Sequence, residues 1–239
     1  MSTSTSSPRA ADRSREFSGL AADYANYDGL GLADLIAKKK ISPLELLHAV
    51  RQRVDAFNPQ LNALCHLFFD RAEAQINAGL GTGPFRGVPY ALKDLGQYLA
   101  GTITSAGSRI WKDSVADFDS TLVERYKHAG LVTFGKTNSP ELGLTTTTES
   151  VLFGQTHNPW NLERTSGGSS GGSAAMLPAE FYRWHTAAMA VVRSGFQRPV
   201  VASSVLSRPV GAYRWDRGNL KVGTAKRSAL NQGGYASRS

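Results

Sequence analysis

Leu47, Val50 and Val54 recur at the three-to-four-residue spacing that puts apolar side chains on one face of a helix. The segment opens on Ser42-Pro43-Leu44-Glu45, which supplies an N-cap serine, a proline suited to the first helical position and a glutamate placed to complete a capping box. This pattern predicts a helix from Ser42 to about Phe57. Gly31 to Lys40 reads as an earlier helix with three lysines at the end its dipole favours, and Asp70 to Ala78 as a later one. The continuous apolar run Val88 to Leu92 predicts a buried strand. Ser120 to Ala129 reads as a helix that stops at Gly130 and leads into a strand over Leu131 to Phe134. Helices and strands interleave, so the expected class is α/β. No internal repeat is evident.

The ends of the chain do not share this patterning. Met1 to Phe17 is rich in Ser and Arg and has no continuous apolar stretch, so residues 1–26 are expected to form a disordered tail, neither signal peptide nor anchor. No run of 18 apolar residues occurs anywhere, and no membrane association is expected. The patterned body is 27–175, and 176–239 reads as a basic, disordered tail. Residues 181–239 hold ten Lys or Arg against one acid, Asp216, for a net +9, whereas the first 180 residues carry a net −1. A basic block often marks a nucleic-acid or anionic-membrane partner. Here Arg183, Arg193, Arg198, Arg208, Arg214 and Arg217 are scattered among Trp184, Phe196, Tyr213 and Trp215 without period or motif.

One cysteine, Cys65, excludes an intramolecular disulfide and suits a cytoplasmic protein. It lies in the apolar run 64–69. In a regular strand Cys65 and His66 point to opposite faces, so the thiol is expected to be structural. None of the five histidines, at 48, 66, 128, 157 and 185, has metal-ligand spacing, and neither metal nor cofactor is expected.

Chemistry concentrates in two places. Gly167-Gly168-Ser169-Ser170-Gly171-Gly172-Ser173 is a loop whose backbone N–H groups are suited to cradling an anion or oxyanion, unless it is a plain Gly/Ser linker. It lacks the Gly-Lys-Ser/Thr ending of a phosphate loop and the spacing of a dinucleotide fold. Lys93 closes the apolar run 88–92, where burial is able to lower its pKa toward neutrality. The plainer alternative is a strand-end lysine paired with Asp94 in solvent. Thr145 to Thr148 is open to a substrate contact but reads more simply as a solvated loop or edge, and Asn138-Ser139-Pro140 is a turn-and-cap signal opening a short helix, with no catalytic role assigned.

From about Leu30 to Ala175 the chain resembles the amidase signature family. The matching segments are Gly87-Val88-Pro89-Tyr90-Ala91-Leu92-Lys93-Asp94, Thr104-Ser105-Ala106-Gly107-Ser108, Gly135-Lys136-Thr137-Asn138-Ser139-Pro140-Glu141, and His157-Asn158-Pro159-Trp160-Asn161 running into the Gly/Ser loop. Ser166 departs from the pattern, since many relatives have Pro there. The resemblance implies a mixed sheet flanked by helices, of which this chain holds only the first portion. It also implies a Ser-cisSer-Lys triad that cleaves a small-molecule amide, with Lys93 as ultimate base and Ser169 as bridging serine after a cis peptide. Gly167, Gly168, Ser170, Gly171 and Gly172 would be substrate-loop residues. A sheet cut off midway exposes edges and apolar faces, and poor solubility is the expected consequence.

The family's nucleophile sits in a later motif of the type Asp-Gly-Gly-Gly-Ser, which residues 174–239 do not contain. Back-translation of Met189-Ala190-Val191-Val192-Arg193, read one base earlier, permits that string, and its first glycine is forced. The run to Pro199 and back to Phe181 permits further family residues. We therefore read the tail as out of frame after about Ser173, with the serine codon split across Val192 and Arg193. Ser194, Ser203 and Ser204 lack a glycine-rich presenting turn. The reading expected from the sequence is an amidase by descent, inactive as written. The alternatives are the A subunit of a tRNA-dependent amidotransferase and a non-enzymatic nucleic-acid-binding protein using the basic tail.

Overall fold

The computed structural model describes residues 19–24 and 27–176. The basic tail therefore lies outside the described residues except for Met176, as do most of residues 1–26. Within that first segment, Leu20–Asp23 form one turn of helix (α1), where the sequence reading had only a tail. Contact with Arg53 explains the order: Tyr24 is buried, with the guanidinium 5.4 Å from its ring centroid.

Gly29–Ala37 form α2, capped by the Asp28 carboxylate accepting the Gly31 N–H at 2.7 Å. The helix ends before the three lysines expected in its last turn. Lys39 takes a left-handed φ of 55°, and the N–H groups of Lys39 and Lys40 close on the carbonyls of Ile36 and Leu35. This is a Schellman ending built without glycine.

Pro43–Leu61 form α3, with both halves of the expected capping box in place: Ser42 Oγ accepts from the Glu45 N–H at 3.1 Å and the Glu45 carboxylate from the Ser42 N–H at 2.8 Å. Leu46, Leu47, Val50, Val54, Phe57 and Leu61 are all buried. The helix outruns its expected end by one turn because Leu61 continues the apolar face. Asn62, at a φ of 49°, then stops it.

Leu64–Leu67 form β1, Phe69–Ala78 form α4, Pro89–Lys93 form β2, Thr121–His128 form α5 and Val132–Thr137 form β3. The strands make a mixed sheet in the order β1-β3-β2, with β1 antiparallel and β2 parallel to β3. The β2-to-β3 connection contains α5, the crossover that parallel pairing requires. Every residue of β3 is buried, as befits the central strand. Helix α3 packs on β2 and α4 on β3, and Phe69 stacks on Phe134 with ring centroids 5.1 Å apart. This is the expected α/β arrangement of a mixed sheet flanked by helices.

Beyond β3 the chain forms a 3-10 turn at Glu141–Gly143, two short hairpins (β4 Glu149–Ser150 with β5 Gly154–Gln155, and β6 His157–Asn158 with β7 Asn161–Thr165) and a terminal helix, α6, at Gly171–Met176. Large apolar side chains stand in solvent on this body, led by Ile110 at 82% and Leu144 at 79% exposure.

Candidate active site

Lys93 is the last residue of β2, and the sheet buries it to 7% exposure. The Gln97 side chain accepts its backbone N–H at 2.9 Å, fixing the strand end. Burial lowers the Lys93 ammonium from the ordinary lysine range to about 8, since a charge removed from water is disfavoured. Among the described residues no carboxylate pairs with it.

The alternative of a solvated Lys93–Asp94 pair is thereby excluded. Asp94 is fully buried and turned elsewhere: Oδ1 accepts the Ser105 N–H at 3.0 Å, while Oδ2 accepts the Ser105 hydroxyl at 2.5 Å and the Gly107 N–H at 3.4 Å.

Lys93 Nζ reaches instead across to the Gly/Ser loop, donating to Ser169 Oγ at 2.9 Å and to Ser170 Oγ at 3.0 Å. The Gly168–Ser169 peptide bond is cis. Sequence reading paired the lysine with Ser169 alone, so the second serine is an addition that only the fold reveals.

The loop is not a flexible linker. A Cβ on Gly168 would stand 2.8 Å from the Thr147 carbonyl oxygen, and one on Gly172 2.4 Å from the Ala63 carbonyl oxygen and 2.5 Å from the Asn138 N. These glycines permit close backbone approach. Nor are three of its N–H groups free to cradle an anion: Gly167 donates to Thr165 Oγ1, Gly171 to Thr148 Oγ1 and Gly172 to the Asn138 carbonyl.

Thr148 corrects a second expectation. Thr145 and Thr146 are exposed, as a solvated loop should be, but Thr148 is fully buried. Its hydroxyl donates to the Gly167 carbonyl at 2.8 Å while accepting from Gly171, so one side chain brackets the two serines. Asn138-Ser139-Pro140 leads into a single turn at Glu141–Gly143 rather than the capped helix expected, since no side chain caps it and Leu142 takes a left-handed φ of 53°. Both Asn138 and Ser139 are buried, and Asn138 Nδ2 donates to Thr156 Oγ1 at 3.0 Å.

The chain also matches proteins of known kind. The family model described as Amidase covers residues 45–183. The chain belongs to the amidase family. The 6-aminohexanoate-cyclic-dimer hydrolase of Paenarthrobacter ureafaciens is 44% identical over 154 residues, 64% of this chain and 31% of that protein. The A subunit of the glutamyl-tRNA(Gln) amidotransferase of Syntrophobacter fumaroxidans is 37% identical over 159 residues, 62% of this chain and 32% of its own. A solved structure of 6-aminohexanoate cyclic dimer hydrolase complexed with substrate superposes with a TM-score of 0.62 at 42% identity, over 66% of this chain and 33% of that one. The chain thus spans about a third of the length of these amidase-family relatives.

A second buried lysine lies near the site. Lys136 on β3 is fully buried, which lowers it to about 8, and its ammonium donates to Thr104 Oγ1 and the Ile103 carbonyl. Beside it the sheet departs from regular geometry. The β1–β3 register shifts between Leu64 and His66, a bulge that undoes the strict alternation expected of Cys65 and His66. Donor atoms of Cys65, His66 and Asp94 consequently lie within 4.8 Å of one another. Spacing missed this group because Asp94 is distant in sequence. The position expected to encode the nucleophile, Val192 and Arg193, lies outside the described residues.

Proposed function

We propose that this chain carries the proton-relay half of an amide-hydrolysing centre. The observation that supports it is the 2.9 Å hydrogen bond from Lys93 Nζ to Ser169 Oγ, formed by a lysine that burial brings to about 8. A serine hydroxyl attacks an amide only when a base removes its proton, and a lysine serves as that base once it is neutral.

In the complete centre a serine oxygen bonds to the amide carbonyl carbon. Its proton passes to Ser169 Oγ, and the Ser169 proton to Lys93 Nζ. Collapse of the intermediate breaks the C–N bond as the lysine returns a proton through Ser169 to the leaving amine. Water then adds to the acyl ester by the same relay and releases the acid. The attacking serine belongs to the motif that the neighbouring frame is able to encode at Val192 and Arg193. Loss of such a nucleophile costs about a million-fold in kcat, and the 239-residue chain is therefore nearly inert as an amidase.

The substrate class is a small-molecule amide, in keeping with the names of the hydrolase relatives. The test begins with the gene. Codons around Ser173 to Phe181 that restore the serine motif on frame correction support the reading, and codons that cannot spell it remove the nucleophile assignment. The repaired protein should release ammonia from simple primary amides, with the release abolished in Lys93→Ala and Ser169→Ala. Full activity in either variant refutes the relay.

A second reading, the A subunit of a tRNA-dependent amidotransferase, is favoured by the 37% identity to a protein of that name. Copurification of the repaired chain with tRNA and with further amidotransferase polypeptides would select it over a free-standing hydrolase.

A further inference from the structure

We propose that Cys65, His66 and Asp94 form a binding site for a zinc-class divalent cation that ties β1 to the end of β2. The three residues present a thiol, an imidazole and a carboxylate, the soft, borderline and hard donor types that zinc accepts, with donor atoms within 4.8 Å of one another. Metal–ligand distances of about 2.0–2.3 Å at tetrahedral angles require donors about 3.3–3.8 Å apart, so modest side-chain movement closes the site.

Two features point to a ligand. His66 Nε2 is buried and has no hydrogen-bond partner among the described residues, a deficit that a buried polar atom seldom carries. At the register shift between Leu64 and His66, the adjacent Cys65 and His66 both place a donor atom within 4.8 Å of the same carboxylate, where a regular strand would separate them. Asp94 has capacity left: Oδ2 takes two donors, but Oδ1 takes only the Ser105 N–H, leaving it a lone pair for a cation.

The neighbouring cation does not block the site. Lys136 Nζ directs hydrogens to Ile103 and Thr104, and thiolate plus carboxylate balance the two charges of the incoming ion. On binding, the Cys65 S–H bond breaks, its proton leaves to solvent and a metal–sulfur bond forms, with no change of oxidation state. The fourth position takes water. This inference is independent of the amide-cleaving reading.

Cobalt(II) is the probe. The full 239-residue chain, freshly reduced in thiol-free buffer, should develop a sulfur-to-cobalt charge-transfer absorption that saturates at one ion per chain and is bleached by zinc. Cys65→Ser should abolish the band, and His66→Phe should weaken cobalt binding at least about tenfold, the lower end of the loss seen when even a supporting partner is removed. Zinc should also slow iodoacetamide alkylation of Cys65 in the unmodified chain, a measurement that needs no variant. Absence of the band at saturating cobalt, unchanged affinity in His66→Phe, or equal alkylation rates with and without zinc each overturn the proposal.

Discussion

The hydroxyl of Thr148 accepts the Gly171 N–H at 3.1 Å and in return donates to the Gly167 carbonyl at 2.8 Å, holding the two ends of the segment that carries Ser169 and Ser170. Thr148→Val keeps the shape and removes both bonds inside a buried site. It should destabilise the fold by about 1–3 kcal/mol, the cost of buried polar groups left unmet. Thr148→Ser should recover most of this. Urea denaturation of the three proteins measures both effects, and a Thr148→Val protein as stable as its parent would deny the bracket any energetic role.

Lys93 should report its own burial. Only the neutral amine is acylated, so labelling of Lys93 by an activated ester should climb through about pH 8 and level off. A short unstructured peptide carrying one lysine, labelled in parallel, should go on gaining reactivity toward about pH 10. Peptide mass spectrometry separates the sites. A Lys93 profile that follows the reference peptide contradicts the shift.

The same burial shapes stability against pH. Lys93 and Lys136 both sit near 8 in the folded chain and at the ordinary value of 10.5 once unfolded. Between those values the unfolded state holds protons that the folded state has released, so stability should rise from about pH 8 to about pH 10. Further up, the buried Tyr90 phenol, pushed well above its usual range, works in the opposite sense. The urea midpoint across this interval is the measurement, and a flat or falling midpoint over it argues against buried neutral lysines.

Gly172 offers a steric test. Alanine there drives a methyl against two backbone atoms that have no room to yield, and about 1–3 kcal/mol or more should be lost. Gly81 is the control: it is exposed, and a Cβ on it meets nothing nearer than 3.8 Å. Gly81→Ala should stay within about 0.5 kcal/mol of the parent. Equal melting temperatures for the two variants would show that α6 does not seat on Ala63 and Asn138 as described.

Phe57 lies on the buried face of α3 at 1% exposure. Phe57→Ala should cost about 3–5 kcal/mol, a large share of the stability of a domain this size. Near-parental stability in this variant would place the core elsewhere.

How much of this was legible in the chain depends on whether the determining forces were local. The start of α3 could be read directly, because Ser42, Pro43 and Glu45 settle a cap among themselves and Leu47, Val50 and Val54 declare the buried face. The strand ending at Lys93 was equally open, since an apolar run followed by a lysine needs no distant partner to be recognised. The end of α2 was misread: lysines normally favour a final turn, and nothing nearby announces that Lys39 will adopt a left-handed backbone. Thr148 looked like one more residue of a polar loop because its partners, Gly167 and Gly171, are far along the chain. The bulge at Cys65 was invisible for a related reason. It arises from pairing with β3, well downstream.

The separation between Lys93 and Ser169 also has a consequence for biosynthesis. Lysine and serine stand 76 positions apart along the chain, so at about 5–20 residues per second the ribosome needs about 4–15 s after making the lysine to supply its serine. Through that interval the nascent sheet has a cation at its margin and nothing to receive it. The Lys93 ammonium can make its hydrogen bonds to Ser169 and Ser170 only once that later segment has been made.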